Sequence, residues 1–188
     1  MRIDQLPDRD RLFSGEIFME DAIRGVTPAE VKALLTELFD VFDTAVADID
    51  DADVSFVPRD PEATDSDNQQ GWPLSHIVCH VTAGLEESAA TASTLARGAD
   101  AEGRPRFEVE WQTIHSVQTL QHRLAESRRM TLAFLDTWPD TPHLDKTQTL
   151  IPVVGPLNPI GVLVLGSLHA AGHIEQIEAT ARQARAAR

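Results

Sequence analysis

The sequence holds a single cysteine, Cys79, among its 188 residues. One cysteine excludes an internal disulfide and any zinc cage built from thiolates alone. No window reaches the roughly 18–20 consecutive apolar residues that a membrane span needs. The first eight residues, Met1 to Asp8, carry no apolar stretch of the signal-peptide kind, so a cytoplasmic location is the expectation. Positive charge is also scarce: 16 Lys and Arg face 30 Asp and Glu, a formal net charge of −14. Such a surface repels phosphate backbones and anionic lipid, because binding either relies on Lys and Arg. No basic run offsets this, and the spaced Arg182, Arg185 and Arg188 answer the dipole of a last helix. Neither nucleic acid nor membrane is expected as a partner.

Several catalytic signatures are missing as well. The sequence contains no HExxH, no Glu followed three residues later by His, no GxGxxG or Walker A loop, and no GxSxG elbow. These absences exclude a zincin, a di-iron carboxylate bundle, a nucleotide-cradling loop and an α/β-hydrolase. Cys79 neighbours His80, but adjacent helix positions point about 100° apart, so the two do not form a nucleophile–base pair. A buried, inert thiol is the expectation there.

What is present is a set of long helical patterns. Thr27-Pro28-Ala29-Glu30 supplies an N-cap, a Pro at N1 and a capping-box Glu. Val31, Leu34, Leu35, Leu38, Val41, Phe42 and Ala45 follow at helical spacing to about residue 50. The acidic stretch 48–70 has no periodicity and reads as a solvated loop. A second helix is expected from Pro73 to about Arg97, with Gly98 as its stop and Ile77, Val81, Leu85, Ala89 and Ala92 as its stripe. Phe107, Val109 and Trp111 alternate with Glu108 and Glu110, the pattern of a short strand or extended arm.

A third helix is expected over 113–138, closed by Pro139 and Pro142. Residues 143–157 read as a connector with 148–154 extended. Asn158-Pro159 opens a fourth helix over 159–184, and a short helix is expected near 13–24. Phe13, Phe18 and Met19 in that first segment have to pack either on this chain or on a neighbour. An all-α four-helix bundle with long crossover loops is the architecture these patterns favour.

Histidine carries the chemistry. His169 and His173 lie four apart in the fourth helix, so they project from one face, about 400° of rotation apart, and can bite one divalent ion. Leu165, Gly172, Gln176 and Ile177 lie on or beside that stripe, which points inward. His76 and His80 form a second such pair; His80 is in phase with Ile77, Val81 and Gly84, whereas His76 sits nearer the helix mouth. One His from the second helix and two from the fourth would make a three-histidine site with an open position. His115 and His122 read as surface or interface residues, with the pocket wall as the lesser alternative for His122, and His143 as structural. A solvated or core-satisfied role is the ordinary fate of any such pair taken alone.

Two of these patterns resemble a known family. Trp72, Ser75 and His80, opening a helix after an acidic loop, resemble the second-helix signature of the DinB-like proteins, and His169-x-x-x-His173-x-x-Gln176-Ile177 resembles their fourth-helix signature. The likeness spans roughly 27–184. It implies an N-terminal arm over 1–26 and a DinB-like four-helix bundle over 27–188, with one or two short strands. It implies a metal site made by His80, His169 and His173, commonly around Ni²⁺ or Zn²⁺, and a homodimer. It also implies a metal-dependent transferase or isomerase acting on a small-molecule substrate with a low-molecular-weight thiol such as mycothiol or bacillithiol. Relatives of mycothiol-dependent maleylpyruvate isomerase share the bundle. Pro73 departs from the family pattern, and the insertions at 99–112 and 143–157 cover or shape the pocket, so substrate class does not carry over.

Two functions follow from different classes. In the first, the three-His site binds and acidifies a thiol or water, and Gln176, one turn beyond His173, orients a ligand or water as a catalytic residue. In the alternative, the bundle is a non-catalytic scaffold that binds a metal or small ligand.

Overall fold

The computed structural model describes residues 1–60 and 70–188. Its regular structure is helical, and no strand forms among the described residues. The elements in chain order are α1 (Arg9–Phe13), α2 (Met19–Ala22), α3 (Pro28–Ala45), α4 (Asp51–Val54) and α5 (Leu74–Ala96), followed by α6 (Val117–Asp136), α7 (Pro159–Ala171) and α8 (Ile174–Ala186).

Each long helix starts where its cap chemistry dictates. The Thr27 hydroxyl accepts the Glu30 N–H while the Glu30 carboxylate accepts the Thr27 N–H, a closed capping box ahead of α3. Ser116 and Thr119 cap α6 in the same way, which sets its start at Val117 rather than residue 113; Trp111–Thr113 forms a separate 3-10 turn. Asn158 accepts the Gly161 N–H at 2.9 Å and opens α7. Pro73 is the extended residue before α5, not its first helical one, with φ −66° and ψ 160°.

Four-helix packing follows from those faces. α5 lies against α6 and α7, while α3 closes the other side against α6, α7 and α8. The stripe expected on α5 is buried, but so is most of the remaining helix, including Cys79, Thr82, Ala83, Glu86 and Glu87. Small residues allow this close approach. A Cβ on Gly166 of α7 would stand 2.3 Å from the Ser88 hydroxyl of α5, so only glycine fits that crossing.

Several boundaries differ from the sequence reading. α3 stops at Ala45, and Asp50 caps the short α4 inside the stretch whose sequence reads as loop, where Asp53 and Val54 are buried. Residues 61–69 of that loop lie outside the described residues. The N-terminal segment forms two short helices instead of one, and Leu12 and Met19 reach the main core of this chain. Phe13 and Phe18 remain 39% and 54% exposed. Residues 148–154 contribute one isolated bridge, Gln148 with Leu157, rather than an extended strand.

Of the short strand or extended arm expected around 107–111, the strand does not form; side-chain bonds hold the segment in place of a partner strand. The buried Glu87 carboxylate of α5 takes the Arg104 Nε at 2.5 Å and the Phe107 N–H at 3.1 Å. Gly98 closes α5 with φ +83°, and a Cβ there would come within 2.9 Å of the His143 ring. That contact, with the His143 N–H donating to Ala96 O at 2.9 Å, makes His143 a structural residue.

The largest departure lies in the fourth helix, which breaks at Gly172–His173 into α7 and α8. At the break the His173 N–H bonds three residues back, to Ala170 O at 3.1 Å, instead of four. Gly172, among the weakest helix formers, supplies the site for that tightened turn.

Candidate metal centre

The break in the fourth helix sits between two of the candidate ligands. His169 closes α7, His173 precedes α8, and His80 comes from the second turn of α5. Their imidazoles meet. The Nε2 atoms of His80 and His169 are 3.1 Å apart, those of His169 and His173 3.4 Å, and all three lie within 4.8 Å of one another. The rings stand edge to face, with interplanar angles of 76°, 77° and 83°.

These separations have a simple reading. Ligands at 2.0–2.1 Å from one tetrahedral ion stand about 3.3–3.4 Å apart. The two short Nε2 separations match that spacing, and three neutral imidazoles form a donor set suited to zinc or nickel. Among the described residues none of the three rings is paired to a carboxylate that would hold it away from an ion.

The protonation states suit the geometry. Burial pushes the His169 pKa down to about 4, and positive charge on His80 and then His173 adds to the shift. The ring is nevertheless solvent-accessible, since it lines an open cavity while the rest of its surroundings are protein. His80 is lowered too, by burial first and by His173 second. Both therefore offer neutral lone pairs at neutral pH, the form a metal requires.

His173 is oriented from its other nitrogen. Its Nδ1 lies 2.7 Å from Gln176 Oε1, an acceptor, so the ring proton sits on Nδ1 and the Nε2 lone pair faces the centre. Gln176 is held in turn, its Nε2 donating to Asp60 Oδ2 at 3.3 Å. The spacing His173-x-x-Gln176 is legible in the sequence, whereas Asp60 is 116 residues away and carries no local signal.

Aromatic rings brace the other side. Trp72 stacks on His76 at 4.0 Å, meets His80 edge-on at 5.1 Å and lies parallel to His173 at 6.2 Å. His76 is sandwiched, with Trp111 stacked on its far face at 4.8 Å. Among the described residues His76 is not one of the three clustered histidines. Gly84, one turn beyond His80, faces the His169 ring: a Cβ there would lie in ordinary contact with it, 3.5 Å from its Nδ1. His115 and His122 are exposed on the third-helix side, away from the cluster.

A cavity of about 310 Å³ opens against His80 and His169. Its walls come from α5 and α7, with Leu150 and Ile151 from the connector, Arg104 from the 99–112 segment, and Arg9 and Phe13 from the N-terminal segment. Both insertions therefore shape it, and so does the arm. Cys79 takes no part: it is 1% exposed, and burial pushes its thiol up to about 11 against a smaller downward pull from Arg123. No helix among the described residues is long and apolar enough to cross a membrane.

Comparison with known proteins gives one finding. A family model described as the DinB superfamily matches residues 34–177, which include all of α5 and α7 and the cluster of three histidines. No curated protein and no solved structure matches the chain.

Proposed function

This chain belongs to the DinB superfamily, and we propose that it is a metal-dependent enzyme whose His80, His169 and His173 hold a divalent ion, zinc or nickel. The reaction we assign is of transferase or isomerase type, with a low-molecular-weight thiol or water as the activated group. The observation that supports this reading best is the convergence of three Nε2 atoms at the edge of a cavity large enough for a small molecule. A bound divalent ion supplies acidity to a thiol or water at neutral pH.

The chain's own residues do the rest. Gln176 accepts the His173 Nδ1 proton and, held by Asp60, keeps the Nε2 lone pair aimed at the centre. We assign Gln176 this orienting role in catalysis. His80 and His169 stay neutral through burial and border the cavity, so a substrate there lies beside them. The buried Cys79 is unfit as a nucleophile, which leaves the thiol to come from solution. A cytoplasmic setting and a homodimer complete the proposal, the homodimer resting on the family resemblance.

The test uses protein reconstituted with Co²⁺ or Ni²⁺ and titrated with thiols. The expected result is a thiolate-to-metal charge-transfer band, together with faster conjugation of the thiol to electrophiles. Both should be lost in His169→Ala. The absence of a band, with rates equal to those of the free metal in buffer, would overturn the enzymatic reading.

A further inference from the structure

The cavity beside the histidines has a charge character at odds with the rest of the molecule. The chain carries 30 acidic residues, yet among the described residues no Asp or Glu lines this cavity. Its charged lining is Arg9 and Arg104, and each guanidinium has hydrogen-bonding capacity to spare. Arg9 makes no ion pair among the described residues; its contact is the Phe13 ring, 6.0 Å from the guanidinium carbon. Arg104 gives its Nε to Glu87, and among the described residues no hydrogen bond is made by its two terminal nitrogens.

The remaining wall is largely apolar. Leu150, Ile151, Val162, Leu165 and Leu168 face the space, with Phe13 closing it from the arm. A volume of about 310 Å³ stands at the low end of small-molecule sites, about 300–1,000 Å³. Apolar walls and two guanidinium groups, with no carboxylate, describe a site for one chemical class.

We propose that this cavity binds an amphipathic organic monoanion, with its apolar body among the aliphatic side chains and its carboxylate against Arg9 and Arg104. The proposal names the substrate class for the metal centre and so rests on that reading for its catalytic meaning, although binding itself needs only the cavity. Arg9 and Phe13 lie outside residues 34–177, so the N-terminal arm supplies specificity that the matched segment does not contain. A guanidinium fits a carboxylate through paired N–H donors, and apolar burial adds affinity in proportion to chain length.

Calorimetry with octanoate, octylammonium and acetate tests this on full-length protein, metal-loaded and metal-stripped, with metal content measured separately by mass spectrometry. Octanoate is expected to bind both forms, while octylammonium and acetate bind at least tenfold more weakly, on the order of one lost charged hydrogen bond or more. Arg9→Gln should weaken octanoate about tenfold by the same reasoning, and Phe13→Ala should weaken it severalfold. Both residues are exposed, so neither change threatens folding, and metal content should stay at the wild-type level. Equal binding of octylammonium, no binding of octanoate, or octanoate affinity unchanged in Arg9→Gln would overturn the proposal. Octanoate bound only by metal-loaded protein and indifferent to Arg9→Gln would place the carboxylate on the metal and overturn it too. Loss of metal binding with octanoate binding intact would strike the metal centre alone.

Discussion

At the scale of the residue, the proposed centre depends on the orientation of its ligands as well as on their identity. Gln176→Ala should leave the fold intact and lower metal affinity about 10–100-fold, the usual cost of removing a group that orients a ligating histidine. Competition against a chromophoric chelator measures it, and an unchanged affinity would show that His173 needs no such support. Cys79 gives a different kind of forecast. Its thiol is raised from an ordinary 9.0 to about 11, so burial of the neutral form stabilises the native state fully below pH 9. That contribution is lost as pH rises from 9 towards 11, because the unfolded chain ionises first. Thermal melts should fall over that window, and Cys79→Ala should flatten the fall.

The same scale shows what a sequence can reveal about a site. His169 and His173 are four apart in a strong helical pattern, and His80 is in phase with apolar neighbours, so their shared direction is a local property. The structure brings these three rings together. Asp60, Arg9, Phe13 and Trp111 reach the same neighbourhood from distant segments, and the alternation around Trp111 does not say what it packs against. Their positions depend on how loops cross the bundle, and local spacing holds no information about that.

At the scale of the element, helix existence was legible and helix ends less so. Thr27-Pro28 and Asn158-Pro159 mark their starts through cap chemistry alone. Asn158→Ala should therefore cost about 1 kcal/mol in denaturant melts, with metal affinity preserved because the cap is distant in the helix from His169. The start of α6 was set by Ser116 and not by the apolar pattern that continued upstream. The break at Gly172–His173 leaves no mark in the sequence pattern, because the apolar phase runs straight through it. The 99–112 segment looked like a strand through its alternation, yet Glu87 supplies the partners a strand would need. Glu87→Gln should weaken that tether, and hydrogen exchange should report faster opening over 104–113 while α5 stays protected. Unchanged exchange there would mean the segment is held by packing alone.

At the scale of the whole molecule, three imidazoles from two sides of the bundle tie α5 to the α7–α8 junction. A ligand that binds only the folded state stabilises it by about 2.7 kcal/mol at a free concentration a hundred times its Kd. Added Zn²⁺ or Ni²⁺ should therefore raise the melting temperature, and a chelator should lower it to the metal-free value. The all-α bundle was readable from composition and period, because four apolar helical faces have few ways to bury one another. The arm was less readable: Leu12 and Met19 join the core while Phe13 turns to the cavity, a division that no pattern in 1–26 announces.

The most direct test is metal content by mass spectrometry on untagged protein, for the wild type and for His80→Ala, His169→Ala, His173→Ala and His76→Ala. The account expects one divalent ion per chain in the wild type and in His76→Ala, and loss of that ion in each of the other three. A wild type that takes up no metal when it is supplied, or uptake indifferent to the three substitutions, would contradict it.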